Sequence, residues 1–216
     1  MDLARLIDHT LLKSDTDQQA IIKLCEEAVK HRFASVCVPP YWVPEAFKQL
    51  KKTTVKVTTV IGFPMGYSAT AAKVEEIKRS IDEGADELDV VLNICAVKSG
   101  NWNYVRNDID RTTTAVHLKG KQIKIIIETG LLTADEIREV CKICQELEPD
   151  FVKTSTGFNG PGASVEAVQL IRQLLTDNIK IKASGGIRSR EDAMRLVEAG
   201  AQRLGSSSGI KIVTEM

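Results

Sequence analysis

Eight short runs rich in β-branched and apolar residues alternate with helix-like stretches along this chain, and no other feature narrows the choice of folds as much. The strand candidates are LIDHTL (6–11), ASVCV (34–38), VKVTTVIGF (55–63), ELDVVLN (87–93), IKIIIET (123–129), DFVKTST (150–156), IKIKAS (179–184) and RLGSS (203–207). Between them lie helix signals. Thr16 with Gln19 and Thr133 with Glu136 have capping-box spacing, Ser189 opens SREDAMRLVEAG, and Gly84 and Gly200 close helical stretches. Strand followed by helix over eight rounds implies parallel pairing. At 216 residues the choice is a compact (β/α)8 barrel or a doubly wound open sheet. No strand is followed by the G-x-G-x-x-G of open-sheet dinucleotide binders, and no linker or low-complexity segment divides the chain. The expectation is an α/β protein, a single-domain (β/α)8 TIM barrel over 1–216.

Side chains alternate along a strand, so each candidate has two faces. Ile179, Ile181 and Ala183 oppose Lys180, Lys182 and Ser184; Val152 and Thr154 oppose Phe151, Lys153 and Ser155. Leu88, Val90 and Leu92 oppose Glu87, Asp89, Val91 and Asn93, and Ile7, His9 and Leu11 oppose Asp8, Thr10 and Leu12. The apolar faces suit packing against helices. The other faces then point into the barrel with Asp8, Asp89, Lys153 and Lys182, near the mouth where barrel enzymes keep their chemistry.

A strand core is a costly place for an ammonium. A lone lysine there more often snorkels to solvent. Two on the same face of neighbouring strands, roughly 4.8 Å apart, lower each other's proton affinity, and desolvation lowers it further. A neutral amine made in this way attacks carbonyl carbon to give an iminium, which draws electrons from the adjacent carbon and lets a C–C bond break or form. The glycine- and serine-rich turns SGG (184–186) and GSSSG (205–209) follow the seventh and eighth strands, where barrels bind phosphate through backbone N–H groups.

Bulk properties exclude other classes. Lys+Arg and Asp+Glu both number 29, which argues against a general nucleic-acid or membrane-surface binder. No apolar run reaches the roughly 18 residues that span a bilayer, and the N-terminus has no export signal. Five cysteines, an odd count, read as reduced thiols of a cytoplasmic protein.

These residues resemble deoxyribose-phosphate aldolase, a class I, Schiff-base aldolase family. The matching segments are IDHTLL, VCVPP, GFPMG, GADELDVVLN, KIIIETG, DFVKTSTGF, IKASGGIR and RLGSSSG, nearly the whole chain. KTSTGF and KASGG carry both lysines and are the most specific. The resemblance implies reversible cleavage of 2-deoxy-D-ribose 5-phosphate into D-glyceraldehyde 3-phosphate and acetaldehyde. It assigns the Schiff base to Lys153, proton relay to Lys182 and Asp89, and phosphate contacts to Gly185, Gly186, Ser206 and Ser207. Thr154, Asp8 and Thr10 join as substrate-contact candidates; for Asp8 and Thr10, support of the lysine network and plain barrel-floor hydrogen bonding are the competing roles. No metal or organic cofactor is implied, and no H-E-x-x-H or zinc-spaced Cys/His cluster occurs. The partner is a small phosphosugar, and a homo-oligomer (dimer) is carried as an expectation. Some family members continue to a tail ending in a tyrosine that aids proton transfer. This sequence reads GIKIVTEM after its third serine, so the core chemistry is expected to stand and the protonation step to differ.

Competing readings remain: a noncatalytic phosphosugar-binding barrel, which needs only the Gly/Ser loops, and another Schiff-base aldolase of transaldolase type. Cys37 is expected to face the barrel interior, as a core thiol or as a reactive thiol beside an aldehyde site. CKIC (141–144) reads as core packing rather than a redox pair, and His9 as helix-facing without a catalytic role. His31 and His117 fall near helix ends. TGFNGPGAS (156–164) reads as a mobile loop over the site or a plain connection.

Overall fold

A computed structural model describes residues 2–215. Its strands are β1 Ile7–Thr10, β2 Ser35–Val38, β3 Lys56–Ile61, β4 Glu87–Val91, β5 Gln122–Ile126, β6 Phe151–Lys153, β7 Lys180–Ser184 and β8 Arg203–Ser206. All pair in parallel, each with the next, and β8 closes on β1. The helices are α1 Gln18–His31, α2 Val43–Leu50, α3 Thr70–Asp82, α4 Ile94–Lys98, α5 Trp102–His117, α6 Ala134–Leu147, α7 Val165–Leu174, α8 Arg190–Glu198 and α9 Gly209–Thr214. The architecture is the (β/α)8 barrel. Among the described residues no helix is long and apolar enough to cross a membrane.

The alternation of faces builds the layers. Ile7, Val36, Val57, Leu88, Ile123, Val152, Ile181 and Leu204 join one apolar cluster with Ile21, Ile77, Val140 and Val168 of the helices. Burying an aliphatic side chain of this size contributes about 1.5–3 kcal/mol. The opposite faces fill the barrel: Asp8 with Ser35, Thr58, Asp89, Lys124, Lys153 and Lys182, all buried. Phe151 closes the floor, with the cations of Lys124, Lys180 and Arg203 at 5.8, 5.6 and 5.3 Å from its ring.

Local chemistry sets most helix starts. Thr133 and Glu136 form the reciprocal capping box at α6, and Ser189 with Asp192 does the same at α8. At α1 the cap is Asp17, not Thr16. The Asp17 carboxylate accepts from Ala20 N at 2.8 Å, while the Thr16 hydroxyl is taken up by Lys13 O. Strands are shorter than the sequence runs. β3 ends where Gly62 turns to a φ of +62°, and Asn93 leaves β4 to cap α4.

Candidate active site

The barrel interior carries Asp8 on β1, Glu87 and Asp89 on β4, Lys124 on β5, Lys153 on β6, Lys182 on β7 and Arg203 on β8. Register puts Lys153 directly opposite Lys182, and Asp89 opposite Lys124. Asp89 Oδ2 accepts from both Lys153 Nζ and Lys182 Nζ at 2.7 Å, and its Oδ1 accepts from Lys124 Nζ at 2.9 Å. Lys182 also meets Asp8 at 2.5 Å, and Lys124 meets Glu87 at 2.6 Å. Arg203 bridges Asp8 at 2.7 Å and Glu87 at 2.9 Å, and Ser35 donates to Asp8 at 2.7 Å.

The cations outnumber the carboxylates, and the pairing is unequal. Lys182 and Arg203 each touch two carboxylates and Lys124 three, whereas Lys153 touches Asp89 alone. Half-exposed Lys56 adds a further cation at 3.2 Å from Glu87. One proton must therefore be the least well held, and the electrostatics select Lys153. Burial pushes its ammonium down, Asp89 partly restores it, and Lys182 lowers it again. Burial also opposes the charge on Lys182, but Asp8 and Asp89 outweigh it and hold that ammonium well above the usual lysine range. Lys124 is raised in the same way against burial by Asp89 and Glu87. Asp89 is desolvated, yet Lys124, Lys153 and Lys182 keep it ionised far below the carboxylate range. The site thus holds one lysine poised to be an amine inside a fixed cage of charges.

Above Lys153 opens a cavity of about 270 Å³, walled by Thr10, Thr156, Phe158, Ser184 and both Gly/Ser turns. Gly185, Gly186, Ser206 and Ser207 all line it. Ser206 Oγ donates to Ile187 O at 2.7 Å and accepts from Ser208 N at 2.9 Å, tying the two turns together. Gly162 and Gly185 touch backbone to backbone: a Cβ on Gly162 would lie 2.1 Å from Gly185 O. The connection after β6 is therefore seated on the turn after β7, and Asn159 pins it across the mouth by donating to Pro64 O at 2.7 Å. Phe158 adds an edge-to-face contact with Phe63. This anchoring fits a fixed wall rather than a mobile loop.

Thr154 falls elsewhere than expected, and Asp8 takes the lysine-supporting role among its expected alternatives rather than substrate contact. Thr154 does not line the cavity; its hydroxyl lies on the β6–β7 seam, accepting from Ser184 N at 3.1 Å, because its side chain takes the face opposite Lys153. Asp8 lies under the lysines as their counter-ion and does not reach the cavity wall, since Lys182 and Arg203 enclose it. Thr10 does reach that wall, donating to Asp8 O at 2.9 Å. Cys37 faces inward and is buried; burial and Asp89 push its thiol up to about 11. Cys141 and Cys144 are buried in α6, with thiols raised by burial. His9 faces the helices and meets Glu27 at 2.9 Å, His117 meets Asp150 at 3.0 Å, and His31 stacks on Phe33.

Lys124, Arg203, Thr156 and Glu128 are not among the candidates the sequence offers, and Glu87 has no role there. Extending the alternation rule to KQIKIII and AQRLGSS would have put Lys124 and Arg203 inside. Lys13 and Arg188, exposed at the cavity rim, carry no such pattern.

Known proteins share both this shape and this sequence. A deoxyribose-phosphate aldolase of Oceanobacillus iheyensis is 50% identical over 215 residues, covering 99% of this chain and 96% of the relative. One from Thermococcus gammatolerans is 48% identical, with 99% and 96% covered. The solved deoxyribose phosphate aldolase of Aeropyrum pernix, a tetramer, superposes with a TM-score of 0.92 at 30% identity, covering 98% of this chain and 89% of its own. The DeoC/LacD family aldolase profile itself runs over residues 3–214, and with a paired-lysine barrel beneath it the chain belongs to that aldolase family.

Proposed function

We propose that this chain, as one domain over 1–216, reversibly cleaves 2-deoxy-D-ribose 5-phosphate to D-glyceraldehyde 3-phosphate and acetaldehyde through a Schiff base on Lys153. The observation that carries the reading is the under-paired Lys153 of the interior cage, at the base of a cavity whose far wall is the two Gly/Ser turns. The neutral Lys153 amine adds to the C1 carbonyl, and loss of water gives the iminium. Its positive charge stands where the ammonium stood, 2.7 Å from Asp89, so the cage that tolerates Lys153 also stabilises the intermediate. Lys182 keeps its proton and its charge, lowering the affinity of Lys153 for a proton. Asp89, bridging both Nζ atoms, is the path for protons entering or leaving Lys153. The iminium is the electron sink, so the chemistry calls for neither metal nor organic cofactor.

Cleavage of 2-deoxyribose 5-phosphate in EDTA, without added metal, tests the reading; a silent enzyme would remove it. A noncatalytic phosphosugar binder has no use for an amine in this cage, and a transaldolase-type enzyme would transfer a ketose fragment rather than release acetaldehyde. The reading includes a cytosolic homo-oligomer. The free cysteines support the compartment, and the Aeropyrum pernix tetramer supports assembly without favouring a dimer.

The turns after β7 and β8 are assigned to the phosphate. Charged hydrogen bonds contribute about 1.5–3 kcal/mol each, so 2-deoxyribose without its phosphate should lose at least roughly 10–100-fold in kcat/KM. Ser206→Asp should raise KM for the phosphorylated sugar alone. Equal kcat/KM for both sugars would take the phosphate out of the turns.

Cys37 lies in the field of Asp89, Lys182 and Lys153. An unsaturated aldehyde formed by self-condensation of acetaldehyde and held on Lys153 would be delivered to this thiol. The parent should therefore inactivate slowly in concentrated acetaldehyde, faster as pH climbs toward about 11, while Cys37→Met keeps its activity. Equal decay of both proteins would leave Cys37 a packing residue.

A further inference from the structure

Glu128 is buried just beyond the end of β5, and its backbone is left-handed, with φ 55° and ψ 60°. A non-glycine residue held there carries roughly 1–3 kcal/mol of strain, which persists only where its surroundings enforce it. The strained turn aims the carboxylate at one partner. Oε1 and Oε2 both lie 3.2 Å from Thr156 N, and Oε2 accepts from Thr156 Oγ1 at 2.5 Å. Thr156 Oγ1 in turn accepts from Phe158 N at 3.1 Å. Its proton is committed to Glu128 and one lone pair to Phe158, so one lone pair remains. Thr156 and Lys153 line the same cavity, three residues apart in sequence.

Resting on the aldolase reading above, we infer that Thr156 and Glu128 act as a proton-accepting pair for the substrate hydroxyl that becomes the aldehyde of the departing fragment. In the cleavage step the C2–C3 bond breaks and its electrons move through C2 and C1 to the iminium nitrogen, giving the neutral enamine. The C3 hydroxyl loses its proton to Thr156 Oγ1 as C3=O forms, and the Thr156 proton passes to Glu128 Oε2. One positive and one negative charge disappear together, so the step leaves the site's net charge unchanged. Aldol addition runs the same transfers backward, with Glu128 returning the proton to the nascent alkoxide.

The remaining charged groups are poorly suited to this step. Lys124 and Lys182 are held as ammonium ions, and Lys153 is occupied as the iminium. Asp89 has both oxygens engaged by Lys124, Lys153 and Lys182, on the nitrogen side of the reaction. Glu128 differs: burial raises its carboxyl above the ordinary range, against the opposing pull of the Thr156 hydrogen bonds and of Lys153. Asp89 and Lys182 then serve the nitrogen side of the reaction, and Glu128 with Thr156 the oxygen side.

Acetaldehyde separates the two sides, because iminium and enamine formation exchange its methyl protons with solvent while no C–C bond is made. Glu128→Gln and Thr156→Val should cut cleavage of 2-deoxyribose 5-phosphate by roughly 100-fold or more. Both should keep deuterium uptake into acetaldehyde from D2O, and borohydride trapping, near the parent's rates. Thr156→Ser, which keeps the hydroxyl, should stay within several-fold of the parent in all three assays. Parental cleavage by Glu128→Gln, or loss of cleavage and exchange in equal proportion, would overturn the pair's role. A parent enzyme that neither traps nor exchanges acetaldehyde would instead remove the aldolase reading on which the pair depends.

Discussion

Borohydride added with acetaldehyde should inactivate the enzyme and leave an ethyl group on one lysine, in the peptide FVKTSTGF. Borohydride alone should leave activity intact. The selectivity follows from the cage: Lys153 is buried against one carboxylate, while Lys182 is clasped by two and Lys124 by three. Lys153→Met should lose activity by roughly four orders of magnitude or more, as removal of a nucleophile does. It should fold at least as well as the parent, because it deletes the surplus buried cation rather than a needed one. An adduct on Lys182, or a Lys153→Met protein that turns over, would reverse the assignment. A Lys153→Met protein that is several kcal/mol less stable would refute the charge argument while leaving the chemistry intact.

Lys182→Leu should produce the second large loss. Removing this ammonium deletes a charge that lowers the proton affinity of Lys153 and releases Asp89 Oδ2 to hold Lys153 alone. Both changes raise the Lys153 pKa, so the acid limb of the pH–rate profile moves to higher pH. Each unit of that shift costs tenfold at neutral pH, and two units would give about a 100-fold loss. Raising the pH should recover part of the activity, which mere unfolding would not allow. Asp8 keeps Arg203 at 2.7 Å but loses its closest cation, so the variant should also be less stable by about 3–5 kcal/mol. An unchanged pH profile with near-normal turnover would mean that the two amines do not communicate.

Eight-round alternation made the barrel legible, because each strand advertises an apolar helix-facing side. The lysine pair was legible for the same reason: Lys153 and Lys182 share a phase, and the observed register sets them opposite each other. Several contacts of the cage were not, since they reach across the barrel. Asp89 meets Lys182 although β4 and β7 are not neighbours, and Asp8 meets Lys182 past β8. Such pairs exist only once the sheet has curled into a barrel. Glu128 was hidden by backbone geometry, since nothing in IIETG announces a left-handed glutamate. Thr156 lies beyond the last residue of β6, where period-two counting no longer applies.

The ring of interior charges also divides along the chain. Every carboxylate of the cage, Asp8, Glu87 and Asp89, lies on β1 or β4; every lysine and arginine among its buried partners lies on β5 to β8. The first four strands alone would gather negative charge on the face they must bury, and the last four would gather positive charge. Neither half can dry its own interior, and two copies of the same half would repel one another across it. Opposite halves attract. The constellation that makes an amine of Lys153 thus also acts as a matching rule for closure, favouring the union of one N-terminal half with one C-terminal half and opposing the pairing of like with like.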